Sequence, residues 1–287
     1  MRIHLVTFAT PRFRHRQVFL GWSALANKVV DSVTHWTPKK LLAAGFENRC
    51  PTIRLTERGS GFYAWKPFII QKKLEVATEG DIVFYCDVGR TFPYKLLSGS
   101  LQVFLDWMKA HEQSVMPGIK IPWGGPMSMW TKRDAFVATS LDTPSIHAAA
   151  PIQASFSIWI NGLDSKEIVA EWMNLSAQRQ MISDDPSALG LPELSGYKQH
   201  RHDQSLLSLV CLKHGIQGMD IGCDMPSVDA KHPSEVARLL SAKTGDFTAQ
   251  GRLVAGLASV VERLEWTARK WIKFNEPQAR PDAYQNR

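Results

Sequence analysis

Cysteine is scarce in this chain: four occur in 287 residues, at Cys50, Cys86, Cys211 and Cys223. They are widely spread and form no Cys-x-x-Cys pair, so neither a zinc ribbon nor a disulfide framework is indicated. A reducing cytoplasm suits this usage. Long apolar runs are missing too, and no stretch approaches the ~18–20 residues that span a bilayer. The opening run from Ile3 to Ala9 is short and carries His4, so it reads as a strand and not as a signal peptide. Neither Gly-x-Gly-x-x-Gly nor a Walker-type phosphate loop occurs. Internal repeats and low-complexity tracts are absent. With no zinc finger, RNA-recognition motif or Lys/Arg-rich tail, no nucleic acid is expected as a partner.

What remains is an ordinary globular composition, 44% hydrophobic and 21% charged, long enough to bury a large core. A net charge of +7 favours anionic partners such as nucleotide diphosphates, acidic glycans or anionic lipids. Short apolar runs alternate with helical patterns. Strands are expected at 3–8, 29–33, 81–86, 114–116, 153–160 and 216–221. Helices are expected at 15–27, 39–44, 65–77, 101–111, 131–138, 165–180 and 205–214, with Gly215 as a C-cap. This alternation predicts an α/β fold with a mostly parallel mixed sheet covered by helices on both faces. Residues 1–225 are expected to form that domain, and 226–287 a C-terminal helical extension with a polar tail. Within the extension, Leu253, Leu257, Val260, Val261 and Leu264 recur at helical spacing among Arg252, Arg263, Arg269, Lys270 and Lys273. With Trp266 and Trp271, this basic amphipathic helix suits either packing on the domain or docking on an anionic membrane surface.

The chemistry-bearing residues lie in three places. Residues 58–67 read Arg-Gly-Ser-Gly-Phe-Tyr-Ala-Trp-Lys-Pro, a glycine-containing turn running into a helix with Pro67 in its first turn. Arg58 and Lys66 flank that turn, where backbone N–H groups, a helix N-terminus and a cation suit phosphate; as surface cations they would only be solvated. The run Asp81-Ile-Val-Phe-Tyr-Cys-Asp-Val-Gly then ends a buried strand in Asp87 and Gly89, at the ligand-binding edge of an α/β sheet. Asp87 suits a divalent cation or an ordinary turn, and Gly89 a close backbone approach or an ordinary turn. Third, His200-Arg-His-Asp-Gln-Ser opens a helix, where Asp203 is placed for chemistry or for an N-cap. His200 and His202 are two apart, a poor metal spacing, and His232 stands alone. Trp123 and Trp130, near Gly124-Gly125-Pro126, suit a sugar face or the core.

Taken as a set, Trp-Lys-Pro, then Tyr-Cys-Asp-Val-Gly, then His-Asp-Gln-Ser resembles the GT-A group of glycosyltransferases over roughly residues 1–225. The resemblance implies a GT-A-like, Rossmann-type sheet joined to an acceptor-binding half. It implies transfer of a sugar from a nucleotide-diphosphate donor to a hydroxyl of a glycan or lipid-linked acceptor, in the cytoplasm or peripherally at the inner face of the membrane. Thr7, Arg58, Lys66, Asp87, Gly89 and Gln153 would contact the donor, and Asp203 and Gln204 would be the catalytic pair. Asp87 matches the first acid of an Asp-x-Asp motif for a divalent cation, Mn or Mg, with His232 as a further ligand; Gly89 replaces the second acid, which weakens such a site. Two rival readings are a nucleotidyltransferase or sugar-nucleotide-processing enzyme, and a non-catalytic glycan- or membrane-binding protein. The first expects a glycine-rich loop where Thr10-Pro-Arg-Phe-Arg stands.

Overall fold

The computed structural model describes residues 1–88 and 101–224. Gly89, His232 and the basic amphipathic helix expected within 226–287 lie outside the described residues. Among the described residues seven strands are present: β1 (Ile3–Phe8), β2 (Ser32–Trp36), β3 (Ile82–Cys86), β4 (Val115–Met116), β5 (Ile119–Lys120), β6 (Ile152–Gln153) and β7 (Phe156–Ile160). The helices are α1 (Arg14–Ala26), α2 (Pro38–Ala43), α3 (Phe46–Arg49), α4 (Trp65–Val76), α5 (Gln102–Ala110), α6 (Arg133–Ala138), α7 (Pro144–Ala148), α8 (Leu163–Ser176), α9 (Arg179–Ile182), α10 (His202–Lys213) and α11 (Ile221–Asp224).

Five strands form one mixed, mostly parallel sheet in the order β2-β1-β3-β7-β4. β1 runs parallel to β2 and β3, while β7 runs antiparallel to β3 and β4. Ile82-Val-Phe-Tyr-Cys is apolar throughout because both faces of β3 are covered. Ile82, Phe84 and Cys86 join Leu20 and Ala24 of α1 and Phe104 and Met108 of α5 in one core layer. Val83 and Tyr85 join Trp65, Phe68 and Ile69 of α4, Trp172 of α8 and Leu206 of α10 in the other. In that second layer Trp159 and Trp172 stack at 6.2 Å, both buried, and truncating either would cost about 3–5 kcal/mol. Among the described residues, no helix is long and apolar enough to cross a membrane.

Four elements differ from the sequence expectation. Strand two starts at Ser32, not Val29, because the Val29 N–H closes the end of α1 on the Ala24 carbonyl. The strand expected over 153–160 is two strands, broken at Ala154 and Ser155. The helix expected over 165–180 is also two, because Gln178 is extended (φ −91°, ψ 111°). The last strand expected at 216–221 reduces to one bridge, Ile119 to Met219. By contrast Gly215 does follow α10 with φ +67°, the left-handed C-cap geometry.

Candidate functional site

The segment Arg58–Phe62 coils with the wrong hand. Gly59, Ser60 and Gly61 have φ of 60°, 58° and 88°, and Phe62 and Tyr63 continue at 52° and 64°. Five successive residues are thus left-handed, which costs about 1–2 kcal/mol for each that is not glycine. Burial of Phe62 and a ladder of backbone bonds hold the turn. Ser60 N–H donates to the Glu57 carbonyl at 3.0 Å, Ala64 N–H to Gly61 at 2.9 Å, and Lys66 N–H to Tyr63 at 3.0 Å. These donors are spent inside the turn, so the segment is not the open phosphate cradle that its glycines suggest.

What the turn does is aim Lys66. Trp65 stacks on Phe8 at 4.1 Å and donates its indole N–H to the Gly59 carbonyl at 2.9 Å, fixing the start of α4. Lys66 is only 4% exposed, so of its two expected readings that of a solvated surface cation does not hold. Its Nζ lies 2.8 Å from Asp203 Oδ2 and 3.5 Å from Asp87 Oδ1, and donates to the Ala154 carbonyl at 2.9 Å. The strand break at Ala154 leaves that carbonyl free of the sheet. The rings of Tyr63, Tyr85 and Trp65 surround the ammonium, with centroids at 5.3, 5.5 and 6.0 Å.

The two carboxylates have different surroundings. Asp87 follows β3 at its carboxyl end, as the sequence predicts, and its side chain is 36% exposed. The Tyr85 hydroxyl donates to Asp87 Oδ1, and Asp87 N–H donates to the Ser155 carbonyl at 2.8 Å. Asp203 is buried at the second position of α10, past the N-cap position that Arg201 holds. Arg201 makes no side-chain cap bond there, and its N–H donates to the Ser205 hydroxyl at 3.2 Å. Asp203 therefore is not the N-cap, and it pairs with Lys66. Burial pushes the Asp203 carboxyl up to about 6 against the downward pull of Lys66. Burial alone would lower the Lys66 ammonium, but Asp203 and Asp87 outweigh it and raise it above its ordinary value. Burial and then Asp87 hold the Tyr85 phenol well above its ordinary value, so it remains a donor.

Other expected residues fall around or away from this centre. Gln153 Oε1, Gln204 Nε2 and Ser155 Oγ are buried atoms without a hydrogen-bond partner. Thr7 is fully buried; Val6 is in register with Tyr85, so Thr7 turns to the opposite face of the sheet from Asp87. The donor role expected of Thr7 therefore does not match its position. Arg58 pairs with Asp184 at 3.4 Å on the surface, and Asp184 Oδ1 lies 3.5 Å from His202 Nε2; Arg58 makes no contact with Lys66's carboxylates. His202 donates from Nδ1 to the Ile182 carbonyl and packs on Phe62, while His200 Nδ1 accepts from Lys132 N–H. Over Trp130 lies the Arg201 guanidinium, 4.0 Å from the ring centre, on a face that a sugar would need. Tyr85 and Tyr63 were not singled out from the sequence. For Tyr85 the signal was there: it is two residues before Asp87 on a strand, hence on the same face.

Do these residues suit a divalent cation? Mg and Mn take about six oxygen ligands. Among the described residues, no group of three or more His, Cys, Asp or Glu could hold a metal ion. Asp87 Oδ1 already carries the Tyr85 hydroxyl and Asp203 faces an ammonium, so the described donors do not fit one.

No protein-family model matches the chain, and neither a curated protein nor a solved structure matches it.

Proposed function

We propose that the chain is a glycosyltransferase of GT-A-like architecture that moves a sugar from a nucleotide-diphosphate donor to a hydroxyl of a glycan or lipid-linked acceptor. One observation carries the reading. Asp87 is a partly exposed carboxylate at the carboxyl end of a central parallel strand, with one oxygen fixed from behind by Tyr85 and Lys66. No described residue bonds to its Oδ2, which is left to accept a hydrogen bond from a sugar or acceptor hydroxyl. An oxygen held at a set position and charge orients a reacting hydroxyl, the kind of help that transfer to a weak nucleophile needs.

The other residues act through that oxygen. Lys66 fixes Asp87, and Asp203 fixes Lys66; being 4% exposed, Asp203 is a positioning residue in this reading and not the base. The unpartnered atoms of Gln153, Ser155 and Gln204 suit polar groups of a bound sugar. Arg12 and Arg14 follow β1 at the same edge of the sheet and supply positive charge toward a departing diphosphate.

The test is release of nucleoside diphosphate from a panel of uridine-, guanosine- and thymidine-diphospho-sugars, with and without simple sugar acceptors. At least one donor should be consumed by the wild type and not by Asp87→Asn. A folded wild-type protein that consumes and binds none of them would sink the reading.

A further inference from the structure

The position between the two carboxylates is already taken. Lys66 Nζ has three N–H groups and three oxygens around it, those of Asp203, Ala154 and Asp87 at 2.8, 2.9 and 3.5 Å. Three aromatic rings within 6.0 Å add cation–π attraction and keep water away. The chain makes several unfavourable choices to build this cage. It winds residues 59–63 left-handed, breaks a strand at Ala154 and buries a lysine almost completely. Each of them serves to bring one ammonium to one place.

We propose that Lys66 is the resident cation of this site, standing where a transferase of this kind would hold a divalent metal, so that Asp87 and Asp203 bind no metal ion. A divalent ion coordinated by both acids would have to displace the ammonium, leaving a buried cation without its partners beside a second cation. The part of this proposal that concerns nucleotides rests on the transferase reading above; the part that concerns the carboxylates does not.

Two measurements test it. Mn(II) alone is titrated into the full chain, and free Mn(II) is read by electron paramagnetic resonance. The wild type should show no site tighter than about 1 mM that is lost in Asp87→Asn. The variant Lys66→Ala should gain Mn(II) affinity at least ~10-fold, and Lys66→Ala/Asp87→Asn should lose the gain. A wild-type site lost in Asp87→Asn overturns the proposal, whether or not the Lys66 variant folds. In the second measurement, binding of nucleoside diphosphates is followed by calorimetry with a chelator and with Mn(II). Affinities equal within about two-fold support the resident cation, whereas a loss of ten-fold or more in chelator overturns it. If no nucleotide binds in either condition, the transferase reading fails and the Mn(II) titration alone judges the cation assignment.

Discussion

Lys66 Nζ and Asp203 Oδ2 meet at 2.8 Å with their side chains 5% and 6% exposed, and the sequence separation between them is most of the described chain. The pair ties the start of α4 to the start of α10 beneath the carboxyl edge of the sheet. A buried pair of this kind adds little over well-packed apolar groups, but removing one partner strands the other's charge at a cost of about 3–5 kcal/mol. Asp203→Asn and Lys66→Met should each lose that much in urea unfolding, while Lys66→Met/Asp203→Leu should lose less than the sum of the two. Asp203→Ser should be as damaged as Asp203→Asn, because a serine could cap the helix but cannot pair. Near-normal stability of the serine variant would remove the pair from the account.

The same pair makes stability depend on pH in a definite direction. The folded Asp203 carboxyl is raised from an ordinary 3.8 to about 6, first by burial. Between those values the native state binds more protons at this group than the unfolded chain does. Its contribution is therefore complete below about pH 4 and declines as pH rises through about 6. The stability of the wild type minus that of Asp203→Asn, from urea titrations at a series of pH values, should fall across this window. A difference that rises there would contradict the assignment.

The left-handed turn is open to a test that improves the protein. Ser60 has φ of 58° and no side-chain bond that requires serine, so Ser60→Gly removes about 1–2 kcal/mol of strain and costs about 0.5–1 kcal/mol in chain entropy. A net gain of up to about 1 kcal/mol is expected in thermal unfolding. Gly61→Ala should do the reverse, since its φ is +88° and a Cβ would come within 2.7 Å of Ile53 and 3.3 Å of the Arg54 carbonyl. A destabilised Ser60→Gly would show that the turn is not strained.

The framework was legible because β1, β3, α1 and α4 carry their own local signals. The largely apolar run Ile3–Phe8 and the apolar run Ile82–Cys86 fit covered strands, and Pro67 marks the first turn of α4. Asp87 was legible for the same reason, as the first polar residue after an apolar strand. The surroundings of Lys66 were not, because Asp203 is 137 positions away and nothing local to Trp-Lys-Pro announces a buried partner. Nor was the hand of the turn, since Gly-Ser-Gly fits an open loop as well as a closed left-handed coil. The donor role of Thr7 came from the family resemblance alone, and nothing local to β1 tells that Thr7 lies on the sheet face opposite Asp87.

Asp87 offers a way to separate function from stability within one side chain. Its Oδ1 accepts from the Tyr85 hydroxyl, and Tyr85 is 1% exposed, so this acceptor is structural. The rest of the carboxylate is more than a third exposed and, in the proposed reaction, works on the ligand. Asp87→Asn keeps an oxygen for Tyr85 and removes the charge. Lys66 retains Asp203, so the unfolding free energy should change by less than about 1 kcal/mol. Turnover of the nucleotide sugar should nevertheless fall by about 10²-fold or more, the usual cost of losing one preorganised polar group at a reacting centre. Asp87→Ala removes the acceptor as well and leaves the Tyr85 hydroxyl buried without a partner, at about 1–3 kcal/mol. The two variants should thus be equally inactive but unequally stable. Adding Tyr85→Phe to Asp87→Ala should return part of the lost stability and none of the activity. If Asp87→Asn keeps wild-type turnover, Asp87 is a structural acceptor for Tyr85 and the reacting hydroxyl lies elsewhere.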